Sequence, residues 1–260
     1  MDGLARDSRW FRGVLSRVSH IGEFMETVAS VMRELKKKSN PLRVQAFAPH
    51  GAPADMFGVS VADMKVIARK IKGNQELALG LFETGNADAM YLAGLVADGS
   101  TMSRKLLDSW AKKAPWQMVS EHTIPMVASH SRYACDLAMK WIRSRKESIA
   151  SSGWSTYAGI VSITADDELT LDEIKLLLKR VETGIDSAHN RVRYTMNGFV
   201  IAVGTYVLPL VKHAVETARE IGKVNVDMHG TTCKVPLATE YIAKVERSGR
   251  TGRKRKSLKR

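Results

Sequence analysis

NQELALGLFETGNADAMYLAGLVAD, residues 74–98, decides the fold class. Asn74 is placed to cap QELALGLFETG with its side-chain oxygen, and Gly85 ends that helix. A second helical segment, ADAMYLAGLVA, begins at once. The same punctuation runs outward in both directions. Upstream, Ser60 and Asp63 make a capping-box pair at the head of SVADMKVIARKI. GEFMETVASVMRELKKK (22–38) has apolar residues at three- and four-residue spacing and a basic end that suits the helix dipole. NPLRVQAFAPHGAPADMFG (40–58) holds three of the seven prolines and reads as a loop or broken short helix. Downstream come SRKLLDSWAKKA, WQMVSEHTIPMVA and YACDLAMKWIRS, then a small-residue segment around GWSTYAGIVSI. Thr170 and Glu173 make another capping-box pair, opening LTLDEIKLLLKRVETG. NRVRYTMNGFVIAVG, YVLPLVKHAVETAREIG and VPLATEYIAKVERSG complete the run. Strand signals are scarce. Roughly a dozen short helices, about two per 35–45 residues, predict an all-α solenoid of helix pairs, with a globular helix bundle as the alternative.

Charge narrows the partner. The 260 residues carry a formal net charge of +13 and a pI near 9.8, which suits a polyanion: nucleic acid first, an anionic membrane surface second. The excess is concentrated. From Lys244 to Arg260 nine Lys/Arg stand against one acid, Glu246, giving +8 of the +13. GRTGRKRKSLKR has no apolar periodicity and is expected to be a disordered basic tail that touches phosphate without folding. The expected division is an N-terminal arm or short helix over 1–22, the helical-repeat domain over 23–247 and the tail over 248–260. Two cysteines, Cys135 and Cys233, are too few for a disulfide framework or a zinc site. A reducing cytosol fits, with the protein associated with the nucleoid. No apolar run approaches the ~20 residues of a membrane span. No Gly-rich phosphate loop, Ser-His-Asp order, HExxH or CxxC pair is present, which argues against an NTPase, hydrolase or metalloenzyme. Asp227, His229 and Cys233 lie close together, but their spacing matches no standard metal site.

FGVSVADMKVIARKI (57–71), residues 74–98 and SWAKKAPWQMVSEH (109–122) together resemble the DNA alkylation repair family of HEAT-like-repeat DNA glycosylases. The C-terminal half, NRVRYTMNGFVIAVGTYV and IGKVNVDMHGTTCKVPLATEYIAKV, resembles one subgroup of it. The resemblance covers about residues 30–260. It implies a right-handed superhelix of antiparallel helix pairs holding duplex DNA on a concave basic face. It also implies excision of N3- and N7-alkylated purines by a Trp-Asp-x-x-Asp motif, helped by a second Trp. A carboxylate there stabilises the oxocarbenium character of the sugar, and indole faces attract the cationic nucleotide. Separately, no cofactor or metal is expected.

The motif is incomplete in this chain. PWQMVS places Trp116 at the family Trp, Gln117 at the first Asp and Ser120 at the catalytic Asp, so both acids are missing. Glu121 follows, but about 100° further round a regular helix it points elsewhere. Gly198-Phe199 stands where the family has Gly-Trp, and Tyr157 stands where a phosphate-contacting Arg is expected. The catalytic candidates carried over are therefore Trp116, Ser120 and Phe199. The DNA-contact candidates are Tyr157, Arg191, Arg193, Tyr194, Lys234, Lys254 and Arg255, with Lys65, Arg69, Lys70 and Lys72 as either a solvated face or part of the DNA rim. The expected partner is double-stranded DNA, alkylated or distorted, bound by a monomer. Three functions stand: an alkylpurine glycosylase with weakened or altered activity, a non-catalytic binder of DNA structure, and a protein-interaction solenoid, which the basic charge disfavours. An acid entering the cleft from elsewhere separates the first two; Asp98, Asp108, Glu121 and Asp166 are the candidates.

Overall fold

The computed structural model describes residues 26–231 and 233–259; the expected N-terminal arm over 1–22 lies outside them. Among the described residues the chain is helical, without strands. The helices are α1 (Val28–Lys37), α2 (Pro41–Phe47), α3 (Val61–Lys70), α4 (Gln75–Glu83), α5 (Ala87–Val96), α6 (Arg104–Lys113), α7 (Ile124–Ala128), α8 (Ala134–Ile142), α9 (Glu147–Ile163), α10 (Leu171–Gly184), α11 (Asn190–Tyr206), α12 (Val211–Ile221) and α13 (Ala238–Arg247). The local signals hold where the cap side chain is free to turn back. Asn74 accepts from Leu77 N at 3.0 Å and Ser60 from Asp63 N at 3.0 Å. Thr170 makes no cap bond. Its expected partner Glu173 is engaged elsewhere, accepting the Tyr157 hydroxyl at 2.5 Å.

The helices form two layers. In one, α3, α5, α7, α9, α11 and α13 follow one another, each packed on the next. The other holds α1, α4, α6, α8, α10 and α12, joined by polar links: Lys113–Glu83 at 2.5 Å, Arg104–Asp136 at 2.6 Å, Arg180 to Ile142 O at 3.2 Å and Thr217 to Glu182 at 2.8 Å. The exposed pairs contribute little each. Asp108 contributes more. It is only 9 % exposed and accepts from the Trp141 indole at 2.9 Å and from Lys140 and Lys112 at 2.8 Å. Burial pushes its carboxyl up, but those three donors outweigh burial and hold it well below the usual carboxylate range.

Buried aromatic contacts join helices within each layer: Phe82 of α4 on Trp110 of α6, with centroids 3.7 Å apart, and Phe199 of α11 against Trp154 at 5.3 Å and Tyr157 at 5.7 Å, both of α9. The loop before α3 is tied down by an acid. Asp88, 2 % exposed in the first turn of α5, accepts from the backbone N–H groups of Phe57, Gly58 and Val59 at 2.6, 3.1 and 2.9 Å. No single helix among the described residues is long and apolar enough to cross a membrane.

The basic tail is the main departure from expectation. Instead of being disordered from 248, it lies against the body. Gly252 N donates to Thr205 O at 2.8 Å, Arg255 N to Ser162 O at 2.8 Å and Lys254 Nζ to Val161 O at 2.9 Å. Lys254 also pairs with Asp166 at 2.7 Å, and Lys259 Nζ donates to Ala97 O. Those carbonyls sit in the last turns or caps of helices, where no intrahelical donor exists. The tail orders by supplying donors that the helices lack, so no apolar periodicity is required.

Candidate nucleic-acid interface

Residues 115–128 build the centre of the site. Pro115 precedes Trp116, whose carbonyl accepts from both Val119 N and Ser120 N at 3.0 Å. The turn then widens into a π-helix, Val119–Thr123, closed by Ile124 N–H on Val119 O. The cause is Pro125. It has no N–H to give the Glu121 carbonyl four residues back, and its ring crowds that carbonyl, so the preceding turn opens. The regular 100° step assumed for Glu121 therefore fails, and Glu121 faces the cleft instead of pointing away from it.

The cleft consists of two adjoining hollows. The larger, about 550 Å³, is bordered by Lys65 of α3, Tyr91 of α5, His122, Tyr194 of α11, and Arg255 and Leu258 of the tail. The smaller, about 380 Å³, is bordered by His50, Trp116, Ser120, Glu147, Ser151 and His229. A buried ion pair stands where they meet. Arg191 grips Glu121 with two bonds, Nε at 2.8 Å and Nη2 at 2.5 Å, and the two side chains are 15 % and 3 % exposed. Burial pushes the Glu121 carboxyl up from its ordinary value, against the pull of the guanidinium. Arg191 also lies over the Tyr194 ring at 4.2 Å, and its backbone N–H donates to Glu147 at 2.7 Å. Burial pulls the His50 imidazole down, helped by His229, whose ring centroid is 5.9 Å away, and by Arg191. Trp116 Nε1 and Ser151 Oγ are buried without a hydrogen-bond partner in the protein, which leaves donors beside the smaller hollow.

The expected site residues divide. Trp116 and Ser120 line the smaller hollow, at 7 % and 1 % exposure, and Arg191 lines it beside them. Tyr194 and Arg255 line the larger one. Phe199 and Tyr157 are core side chains, at 0 % and 2 % exposure, and touch nothing in the cleft: α9 and α11 are covered on most sides, so their aromatic positions are structural. Arg193 is half-buried and Lys234 exposed, and neither borders the two hollows. Lys254 is spent on Asp166 and Val161. On α3, Lys65 reaches the cleft, whereas Lys70 pairs with Glu34 at 2.7 Å. Asp227 caps its own loop by accepting from His229 N at 2.7 Å, and no metal-binding cluster is found among the described residues. Of the acids left open, Asp98 caps a 3₁₀ turn, Asp108 and Asp166 hold lysines, and Glu121 alone enters the cleft. Glu147 and His50 are cleft residues that the sequence reading missed.

Comparison with known proteins places this geometry. Residues 31–242 match the profile of the family described as DNA alkylation repair enzyme. The uncharacterized protein Lin0241 of Listeria innocua is 34% identical over 226 residues, 85% of this chain and 97% of its own. The uncharacterized protein Lmo0209 of Listeria monocytogenes is 33% identical over the same shares. A solved structure described as "a new family of proteins related to the HEAT-like repeat DNA glycosylases with affinity for branched DNA structures" is 36% identical. It superposes with a TM-score of 0.83 and covers 90% of this chain and 100% of its own. The two-layered, all-helical fold is thus the HEAT-like-repeat fold, and the chain belongs to the DNA alkylation repair enzyme family.

Proposed function

We propose that this protein binds branched DNA by its phosphate backbone, along the cleft from Trp116 to Arg255, and leaves the bases in place. The affinity of the solved relative for branched DNA structures supports the ligand class. The surplus of basic residues and the cleft cations Lys65 and Arg255 supply the phosphate chemistry. The observation that carries the non-excising half is the Glu121–Arg191 pair. Cleaving an N-glycosidic bond needs a carboxylate free to face the cationic sugar. The carboxylates lining the two hollows are Glu121 and Glu147, and both are bonded to Arg191. Ser120, at the motif position, is neutral.

Excision has one observation behind it as well. Glu121 sits in the cleft wall next to Ser120, and a DNA phosphate that drew Arg191 away would uncover its carboxylate. Binding comes first in either case. Fluorescence anisotropy with a labelled four-way junction and a duplex of equal length, at about 50 and about 200 mM salt, tests it. The junction is expected to bind more tightly by about tenfold or more. Both affinities should fall by about a hundredfold with salt, as four contacted phosphates require. Equal affinity for the two ligands, or binding indifferent to salt, would overturn the assignment.

A further inference from the structure

The tail meets the helices of the cleft-lining layer in reverse order and always at their C-terminal ends. Gly252 reaches Thr205 near the end of α11, and Lys254 and Arg255 reach Val161 and Ser162 at the end of α9. Ser257 lies 3.4 Å from Nε2 of His130, just past α7, and Lys259 reaches Ala97, the C-cap of α5. Left bare, that edge would carry the negative ends of four helix dipoles beside the cleft and would repel phosphate. The tail covers it with cations.

The sequence is shaped for this seat. Gly252 has φ +77° and is packed against Leu208, where a Cβ would come within 2.4 Å of the Leu208 side chain. Gly159 leaves room on α9 for Leu258; a Cβ there would lie 2.5 Å from Leu258 Cδ1. The cations fall into two groups. Lys254 and Lys259 are consumed as anchors. Arg253 and Lys256 are exposed, and Arg255 borders the larger hollow; none of the three side chains has a partner among the described residues. We infer that residues 250–259 form a fixed basic rim of the cleft, on which Arg253, Arg255 and Lys256 take the phosphate backbone of bound DNA while Lys254, Leu258 and Lys259 hold the rim in place. This rests on the DNA-binding function proposed above.

The test compares wild type, the rim variant R253E/R255E/K256E and the anchor variant K254A/K259A, using the labelled four-way junction over a salt series and thermal melting of each protein. The rim variant is expected to keep the wild-type Tm. Its plot of log K against log salt should lose about 2–3 units of slope, at about 0.9 per phosphate contact. The anchor variant is expected to melt lower and also to bind more weakly. Wild-type slope and affinity in the rim variant, with wild type binding normally, would overturn the rim while leaving the DNA-binding function standing. A wild type that ignores the junction would overturn both. A rim variant that loses binding to phosphatidylglycerol vesicles and keeps its binding to DNA would assign the surface to a membrane and overturn the rim as a DNA contact.

Discussion

Arg191→Met is expected to cost about 3–5 kcal/mol, because it leaves the Glu121 carboxylate buried with no countercharge. The remaining acid has one outlet, which is to take a proton. Its folded-state pKa then rises further above the unfolded value of about 4.3. A group raised in the folded state gives its full stability below the unfolded pKa and loses it as pH rises through the folded one. Relative to wild type, the variant should therefore be more stable near pH 5 than near pH 8. Urea unfolding at both pH values checks this. Glu121→Gln on the same background should remove the pH dependence and recover most of the loss. A single variant that loses less than about 1 kcal/mol at neutral pH would mean that the pair is far more solvated than its 15 % and 3 % exposures indicate.

The second large effect belongs to Asp88. Replacing it with Ala removes the acceptor of three consecutive N–H groups, those of Phe57, Gly58 and Val59. An orphaned buried donor costs about 1–3 kcal/mol. Water can reach Phe57, which is half-buried, but not the other two. The expected loss is about 3–5 kcal/mol, with Asp88→Asn losing roughly half, since one carboxylate oxygen survives as an amide oxygen. Hydrogen exchange should show Gly58 and Val59 losing protection ahead of α5. If they stay protected in the Ala variant, their hydrogen bonds have found another acceptor and the loop does not depend on Asp88.

Much of the architecture was legible because its signals are local. The Asn74 and Ser60 caps and the Gly85 stop act over three or four residues, and no distant group competes for them. Where a distant group does compete, the signal fails. The Thr170 capping box lacks its Glu173 half because the Tyr157 hydroxyl claims that carboxylate. Phe199 and Tyr157 looked like site residues by motif position, yet α9 and α11 lie inside a layer with neighbours on both sides, and burial claims them. Glu121 was misjudged by applying regular-helix geometry across Pro125, although the proline was itself the sign that the turn would open. The tail was invisible for a different reason: its main partners are backbone carbonyls at the ends of three separate helices, and nothing in a run of Lys and Arg names them. The charge excess was read correctly, and the structure adds where it sits.

One measurement bears most directly on the central claim that this cleft holds DNA without excising bases. A single-turnover assay with protein in excess would follow release of N3- and N7-methylated purines from a labelled duplex, with four-way-junction binding recorded in the same preparation. The expected result is tight, salt-sensitive junction binding, with base release at the spontaneous rate. Release above that rate, abolished by Glu121→Gln, would contradict it and would mean that Arg191 yields its carboxylate when DNA arrives.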